Sequence, residues 1–414
     1  MSDVNHRILT DATGNGMIQT LEALNHLISH QNAAIDLLAS DKRAGLVEDV
    51  ATVAGLCASG EILEVMDYGD QIAPAWSDGE TEYAPAFNLC HEGDALLEDG
   101  ETIHGAFFEW DKTTPVGVPF DVPEALYCFD GTETPGDYYI TIGKTYGDGW
   151  IAGQSIQITL SEAPAENDQL VVSCGSDSKN NPTNGRTWSV YAKGGTEVKQ
   201  TGTTLNGTSG TKLGETDGTD AGKTNGRVNA PQRVVYGYNR WAQSALRQYL
   251  NSTAAAGAWW TAQNPWDRPP AQHSTIRGFL AGYDAEVIRN FKPIKIVTVA
   301  CNADGNAEDV TYDRVFLSSL EQMYCVPQFA GKEGEYWEYY KRLLGRTSPA
   351  PTSTTYRRLI KYALNAPTGA QSVFRRSAYR TSAYDVWRVY STGYLGAIGA
   401  MSAFRCAPSV FLSL

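Results

Sequence analysis

The sequence predicts an α+β protein of two or three domains, and three features predict it. Tyr, Trp and Gly are plentiful, at 22, 10 and 40 of 414 residues, a composition that suits β-rich, loop-rich folds better than helical bundles. Apolar residues make up 42% of the chain, enough to bury a sizeable core at this length. Helical periodicity is confined to a few short stretches, while alternating or continuous apolar runs bounded by Gly, Asp and Pro recur through the middle and the end.

The elements follow in order. Met17, Leu21, Leu24, Ile28, Gln31, Ile35 and Leu38 recur at alternating spacings of four and three, a heptad seam with one polar member on a helix over 17–39. Two readings stay open: a short oligomerising coil formed by residues 1–45, or an amphipathic helix packed on its own domain. Residues 46–104 read as an α/β segment attached to the core, with a helix at Val47–Ala58 ending on Ser59-Gly60 and a strand at Ile62–Met66. Residues 105–175 read as a small antiparallel β domain with strands Tyr138–Ile142 and Ser155–Leu160, a Gly147-Asp148-Gly149 turn between them, and Pro123, Pro135 and Pro164 as punctuation. The span 176–232 is rich in Gly, Thr and Asn and reads as a long surface loop or flexible arm, with Trp188–Gly195 its one strand-like piece.

The last domain covers 233–414. It opens with a helix over Tyr238–Leu250, with Ala242, Ala245, Leu246, Tyr249 and Leu250 on one face. A buried strand at Ile294–Cys301 follows, then a strand and short helix within Asp313–Tyr324, a helix at Trp337–Leu344, and strands and loops from Ser372.

Charge and cysteine usage exclude several classes. The net charge is -14 and the pI about 4.9, which argues against a nucleic-acid partner. The charge is uneven: residues 351–414 hold eight basic residues against the single acid Asp385, a net of +7. Cys57, Cys90, Cys128, Cys174, Cys301, Cys325 and Cys406 are odd in number, widely spaced and free of CxxC motifs, as expected for reduced, buried thiols assembled in a cytosol. The N-terminus shows no signal-peptide pattern, and no apolar run reaches the roughly 18 residues of a membrane span, so no membrane insertion is expected. The six histidines form no metal-ligand spacing; His26 and His30 stand at i, i+4 and read as a solvated helix face. No Walker loop, GxSxG or helix-opening GxGxxG occurs, so neither enzyme nor cofactor is expected. The tail has too few carboxylates for a Ca²⁺ cage.

The tail carries the functional signal. Trp387, Val389, Ser391, Gly393 and Leu395 alternate with Arg388, Tyr390, Thr392 and Tyr394. A single strand would put the first set on a core face and the second outward. Tyr gives large contact area at low entropy cost, and Arg adds a planar charged fork. The stretch resembles the variable region of diversity-generating retroelement proteins, in which adenines of Asn (AAC) codons are randomised. Ser377, Ala378, Trp387, Val389, Ser391, Gly393, Leu395, Ala400 and Arg405 match that family's fixed frame. Its variable positions fall on Tyr379, Thr381, Tyr384, Asp385, Arg388, Tyr390, Thr392, Tyr394, Gly396, Ala397, Ile398, Gly399, Ser402 and Phe404. All of these are reachable from AAC, and Arg380 and Ala383 are further candidates; Met401 does not fit such an origin. Tyr236–Ser252, DRVFLSSLEQMY (313–324) and RCAPSVFL (405–412) extend the resemblance over 233–414, with Cys406-Ala407-Pro408 departing from the usual closure.

The resemblance implies a C-terminal C-type lectin-like fold with a variable region at 377–405. It implies a receptor-binding protein of a phage tail tip or fibre, bound to a bacterial surface receptor (protein or glycan), to other tail proteins and to itself as a homotrimer. A bacterial cell-surface location is the alternative. Two rival readings are a structural virion protein with fixed tail residues, and a carbohydrate hydrolase, which would need paired facing carboxylates.

Overall fold

The computed structural model describes residues 49–174, 179, 181–217, 222–329 and 331–414, so the expected seam helix over 17–39 lies outside the described residues. The chain is a mixed α+β structure, mostly strands in several antiparallel sheets with few short helices. A five-stranded central sheet runs in the order Gln71–Ile72, Phe87–Leu96, Thr102–Trp110, Ser409–Leu412, Val315–Phe316, every neighbour antiparallel. The C-terminal strand is therefore interior, with Phe411 opposite Phe107 and Leu412 opposite Ala106. Gly105 permits that approach, since a Cβ there would stand 2.4 Å from the Leu412 carbonyl oxygen.

The helix Val50–Ser59 lies close to the expected Val47–Ala58. Asp49 caps it, accepting from the Thr52 amide at 3.0 Å. Gly60, at φ 75°, ends it in the left-handed region. Val50, Val53, Ala54 and Cys57 are its buried residues. The expected strand Ile62–Met66 is instead a helical turn, Ile62–Val65; five residues are too few for periodicity to separate the two. The expected Tyr238–Leu250 helix is broken into a 3-10 turn at Trp241–Gln243 and a helix at Ala245–Leu250, because Ser244 adopts extended backbone and caps the second piece. The helix Glu338–Leu344 and the strand Ile294–Val299 stand where expected.

A second core, holding Trp150, Trp188, Ile140, Ile158 and Val190, belongs to a small β body. One of its sheets orders Val198–Thr203, Thr187–Tyr191, Gln169–Val172, Tyr127–Cys128; the other orders Leu205–Asn206, Ser155–Leu160, Gly136–Ile142, Thr211–Thr216. This corrects two boundaries. The cut at 104/105 falls inside the central strand Thr102–Trp110. The supposed arm at 176–232 supplies four strands, including Thr211–Thr216, which pairs parallel to Gly136–Ile142. Its strands are polar on their solvent side and Thr-rich, which suits a pleated half-buried surface but leaves little apolar signal in the sequence.

The two ends of the main unit meet on one buried carboxylate. Glu109, on Thr102–Trp110, has 0% exposure. Lys361 Nζ stands 3.0 Å and Arg375 3.2 Å from its oxygens. The hydroxyls of Ser318 (2.5 Å), Ser409 (3.3 Å) and Tyr340 donate to it as well. Burial alone would raise this carboxyl, but Lys361, Arg375 and the hydroxyl donors outweigh it and hold the group down at about 2.

Replacing Glu109 with Gln should cost roughly 3–5 kcal/mol in urea unfolding, because Arg375 and Lys361 keep buried charges without a counter-ion. A carboxyl depressed from its ordinary 4.5 to about 2 contributes stability that is full above 4.5 and lost as pH falls toward 2. Unfolding midpoints measured across that window should therefore drop with acid in the native chain and flatten in E109Q.

Candidate ligand-binding surface

The tail forms a three-stranded antiparallel sheet of Val373–Ala378, Asp385–Val389 and Leu395–Gly399. The stretch 387–395, expected as one strand, is a hairpin. The Tyr390 amide donates to the Tyr394 carbonyl, and Gly393 donates to Tyr390, both at 2.8 Å. Gly393 sits at φ 83°. The three-residue turn Ser391–Gly393 is odd in length, so the pairing sets Arg388 against Gly396 and Tyr390 against Tyr394. Alternation thus survives the turn, and Arg388, Tyr390 and Tyr394 share one face.

That face is not the open row expected from the sequence. Arg388 lies across from the core residue Phe374 and is 7% exposed. Tyr390 is half-buried, and Tyr394 is exposed at 36%. The cause is aromatic cover: the Arg388 guanidinium carbon lies 3.6 Å from the Tyr390 ring centre and 4.3 Å from that of Phe404. The Tyr390 and Tyr394 rings meet edge to face at 5.4 Å. The patch is contiguous and graded, buried at Arg388 and wet at the hairpin tip, where Ser391 and Thr392 are exposed.

The expected frame and the expected variable positions differ in burial. Ser377, Ala378, Trp387, Val389, Leu395 and Ala400 are all buried. Gly393 is held by backbone, since a Cβ there would stand 2.5 Å from the Tyr356 carbonyl oxygen. Ser391, expected with the buried set, is exposed in the turn, and Arg405 is half-buried with a 2.7 Å bond to Asn365. Among the positions expected to vary, Arg380, Thr381, Thr392 and Tyr394 are exposed. Tyr379, Tyr384, Asp385, Tyr390, Ala397, Ile398, Gly399, Ser402 and Phe404 are half-buried. Three are corrections, being buried: Ala383, which clusters with Tyr238 and Cys301; Gly396, beneath the rings of Tyr390 and Tyr394; and Arg388.

The remaining positions form two further groups. Arg380 and Thr381 lie on the loop after Val373–Ala378, where Arg380 Nε donates to Asn302 at 3.1 Å and its amide to Gln328 at 3.0 Å. Tyr384 stacks on Tyr236, with ring centres 4.4 Å apart and planes 20° from parallel. The Tyr384 phenol also shares a hydrogen bond with Tyr146, which reaches over from the small β body. Burial raises the phenols of Tyr146 and Tyr384 above their ordinary values, and it raises Asp385 beside them. Sequence reasoning missed Tyr146 and Tyr236. The Tyr146–Trp150 stretch reads only as a turn, and that is what it is: Tyr146 and Trp150 exchange backbone bonds around it, and buried Trp150 anchors it.

Other chemistries have weaker footing. All seven cysteines are free and buried. Burial, with Asp304 beside it, pushes the Cys301 thiol up to about 12, far from a reactive thiolate. Among the described residues, Asp121, Glu124 and Asp267 form the carboxylate cluster whose spacing suits a metal, within 4.8 Å of one another and all buried. The sequence showed no sign of it. Arg233 already supplies a cation there, bonding both Glu124 oxygens at 2.8 Å.

The two hairpin glycines should respond differently to Ala. Gly393→Ala adds left-handed strain and a backbone clash, and should cost about 1–3 kcal/mol. Gly396→Ala meets only the ring edges of Tyr390 and Tyr394, at 2.9 and 2.8 Å. These side chains can swing away, so its cost in thermal unfolding should be clearly smaller.

Residues 227–410, less than half of the chain, match the model of a family described as a domain of unknown function (DUF6273). No curated protein and no solved structure matches the chain.

Proposed function

We propose that the chain is a non-enzymatic receptor-binding protein that displays a retroelement-diversified surface from a C-type lectin-like domain at a phage tail tip, and that it binds a bacterial surface ligand as a homotrimer. One observation carries the reading. The positions of the expected frame are mostly buried or backbone-constrained, whereas thirteen of the sixteen expected variable positions are exposed or half-buried. A surface that must accept many sequences needs this division, because exposed substitutions mostly cost about 0.5 kcal/mol or less while core changes cost several times that. Several copies would convert weak single contacts into avidity.

The burial of Ala383, Arg388 and Gly396 favours the second reading, a structural virion protein whose tail residues are fixed. Sequencing the gene across sibling phages separates the two. Diversification expects changes concentrated at the variable positions, with Trp387, Val389, Gly393 and Leu395 constant. It also expects an Asn-rich near-duplicate of the tail-coding DNA beside a reverse-transcriptase gene. Changes spread evenly along the tail, or none at all, would overturn it.

A further inference from the structure

We infer that Arg388 is the anchor of an anion-binding site, and that the ligand of this chain presents a carboxylate or phosphate group to the hairpin face. The inference rests on the display reading above and adds the chemical class of the ligand.

Four arginines are buried among the described residues, and three of them donate to protein acceptors. Arg233 forms a bidentate pair with Glu124. Arg375 is paired with Glu109. Arg376 donates to the Leu317 carbonyl oxygen and to Gln322 Oε1, both at 2.5 Å, and to the Glu333 carbonyl oxygen. Arg388 differs. Among the described residues no carbonyl, hydroxyl or carboxylate accepts from its guanidinium, and no acid stands within ion-pair distance. Its Nε is buried without a partner, as are those of Arg375 and Arg376, but these two bond through their other nitrogens and Arg388 does not.

What holds Arg388 is stacking alone, between the rings of Tyr390 and Phe404. Stacking fixes the guanidinium plane but leaves its in-plane donors unused, and those donors are what a carboxylate or phosphate takes in pairs. A buried cation without a counter-ion is costly, and a bound anion removes that cost. The Tyr390 hydroxyl is engaged with the Ala397 carbonyl oxygen at 3.4 Å, whereas exposed Tyr394 is free to add a donor at the rim.

The test is microcalorimetric titration of the full chain with polyglucuronate, with polyglycerol phosphate and with neutral dextran. One of the polyanions should bind with an affinity that falls as salt rises, and dextran should not. The carboxylate and phosphate arms identify the source. Arg388→Gln should weaken that binding at least tenfold. Arg388→Lys keeps the charge but loses the planar stack, and should fall between Gln and the native residue. Arg357→Gln, at an exposed arginine of the same basic segment, should leave the affinity within twofold. If R388Q fails to fold by thermal unfolding, R388K decides. No binding of either polyanion, or equal losses in the R388 and R357 variants, overturns the inference. Variation at position 388 among sibling phages would leave the display reading standing in that case, so the two can fail separately.

Discussion

The fold turns on one carboxylate that water cannot reach. Glu109 accepts from side chains that lie far apart in sequence: Ser318, Tyr340, Lys361, Arg375 and Ser409. Arg375 sits on the first strand of the tail sheet, and Ser409 on the C-terminal strand that enters the central sheet. The hub therefore ties the frame of the tail hairpin to the middle of the molecule at both of its ends. A buried ionic cluster is a poor source of net stability, since desolvation consumes most of its Coulombic gain. Its effect here is on register. A one-residue slip of Val373–Ala378 or Ser409–Leu412 would carry Arg375 or Ser409 to the opposite face and leave Glu109 with unpaired oxygens.

Fixing the tail strands in this way shapes what the hairpin can present. Both faces of Asp385–Val389 are covered, one by Trp387 and Val389 in the core, the other by Arg388 stacked under Tyr390 and Phe404. The surface that remains is a slope rather than a plane, running from the buried guanidinium through Tyr390 to exposed Tyr394 and Thr392. A slope has a physical advantage for recognition. Groups at its base are rigid and desolvated, where polar interactions are strong; groups at its rim exchange cheaply.

Much of this was legible in the sequence, and the failures have identifiable causes. The buried face of the tail was readable because Trp387, Val389 and Leu395 alternate cleanly, and a three-residue turn preserves that parity. The turn itself was hidden for the same reason: Ser391-Thr392-Gly393 continues the alternation instead of interrupting it, and the only sign of a reversal was Gly393. The small β body was half legible. Gly136–Ile142 and Ser155–Leu160 carry apolar patterns, whereas Val198–Thr203 and Thr211–Thr216 are polar strands held by pairing. Ile62–Val65 was too short for its period to be read. The Glu109 hub was out of reach, because nothing local marks a lone Glu among the apolar residues of a strand as the partner of cations more than 250 residues away.

The contact between Tyr146 and Tyr384 changes how the tail should be viewed. Tyr146 belongs to the small β body, and buried Trp150 pins its loop. Tyr236, stacked on Tyr384, lies outside the tail sheet, and its carbonyl accepts from the Met401 amide at 3.0 Å. Two residues from outside the tail thus brace one of its positions. A small residue at position 384 would remove the stack on Tyr236 and the bond to Tyr146, whereas a large aromatic one would be gripped. The β body therefore restricts which side chains sit well at the end of the hairpin next to Gly399, while the tip at Ser391 and Thr392 touches no such wall. Tolerance of substitution across the patch is accordingly unequal: free at the turn, conditional on aromatic packing at 384, and limited by cation stacking at 388. Tail sequence alone could not have ordered the positions in this way, because the residues that set the order come from two other parts of the chain.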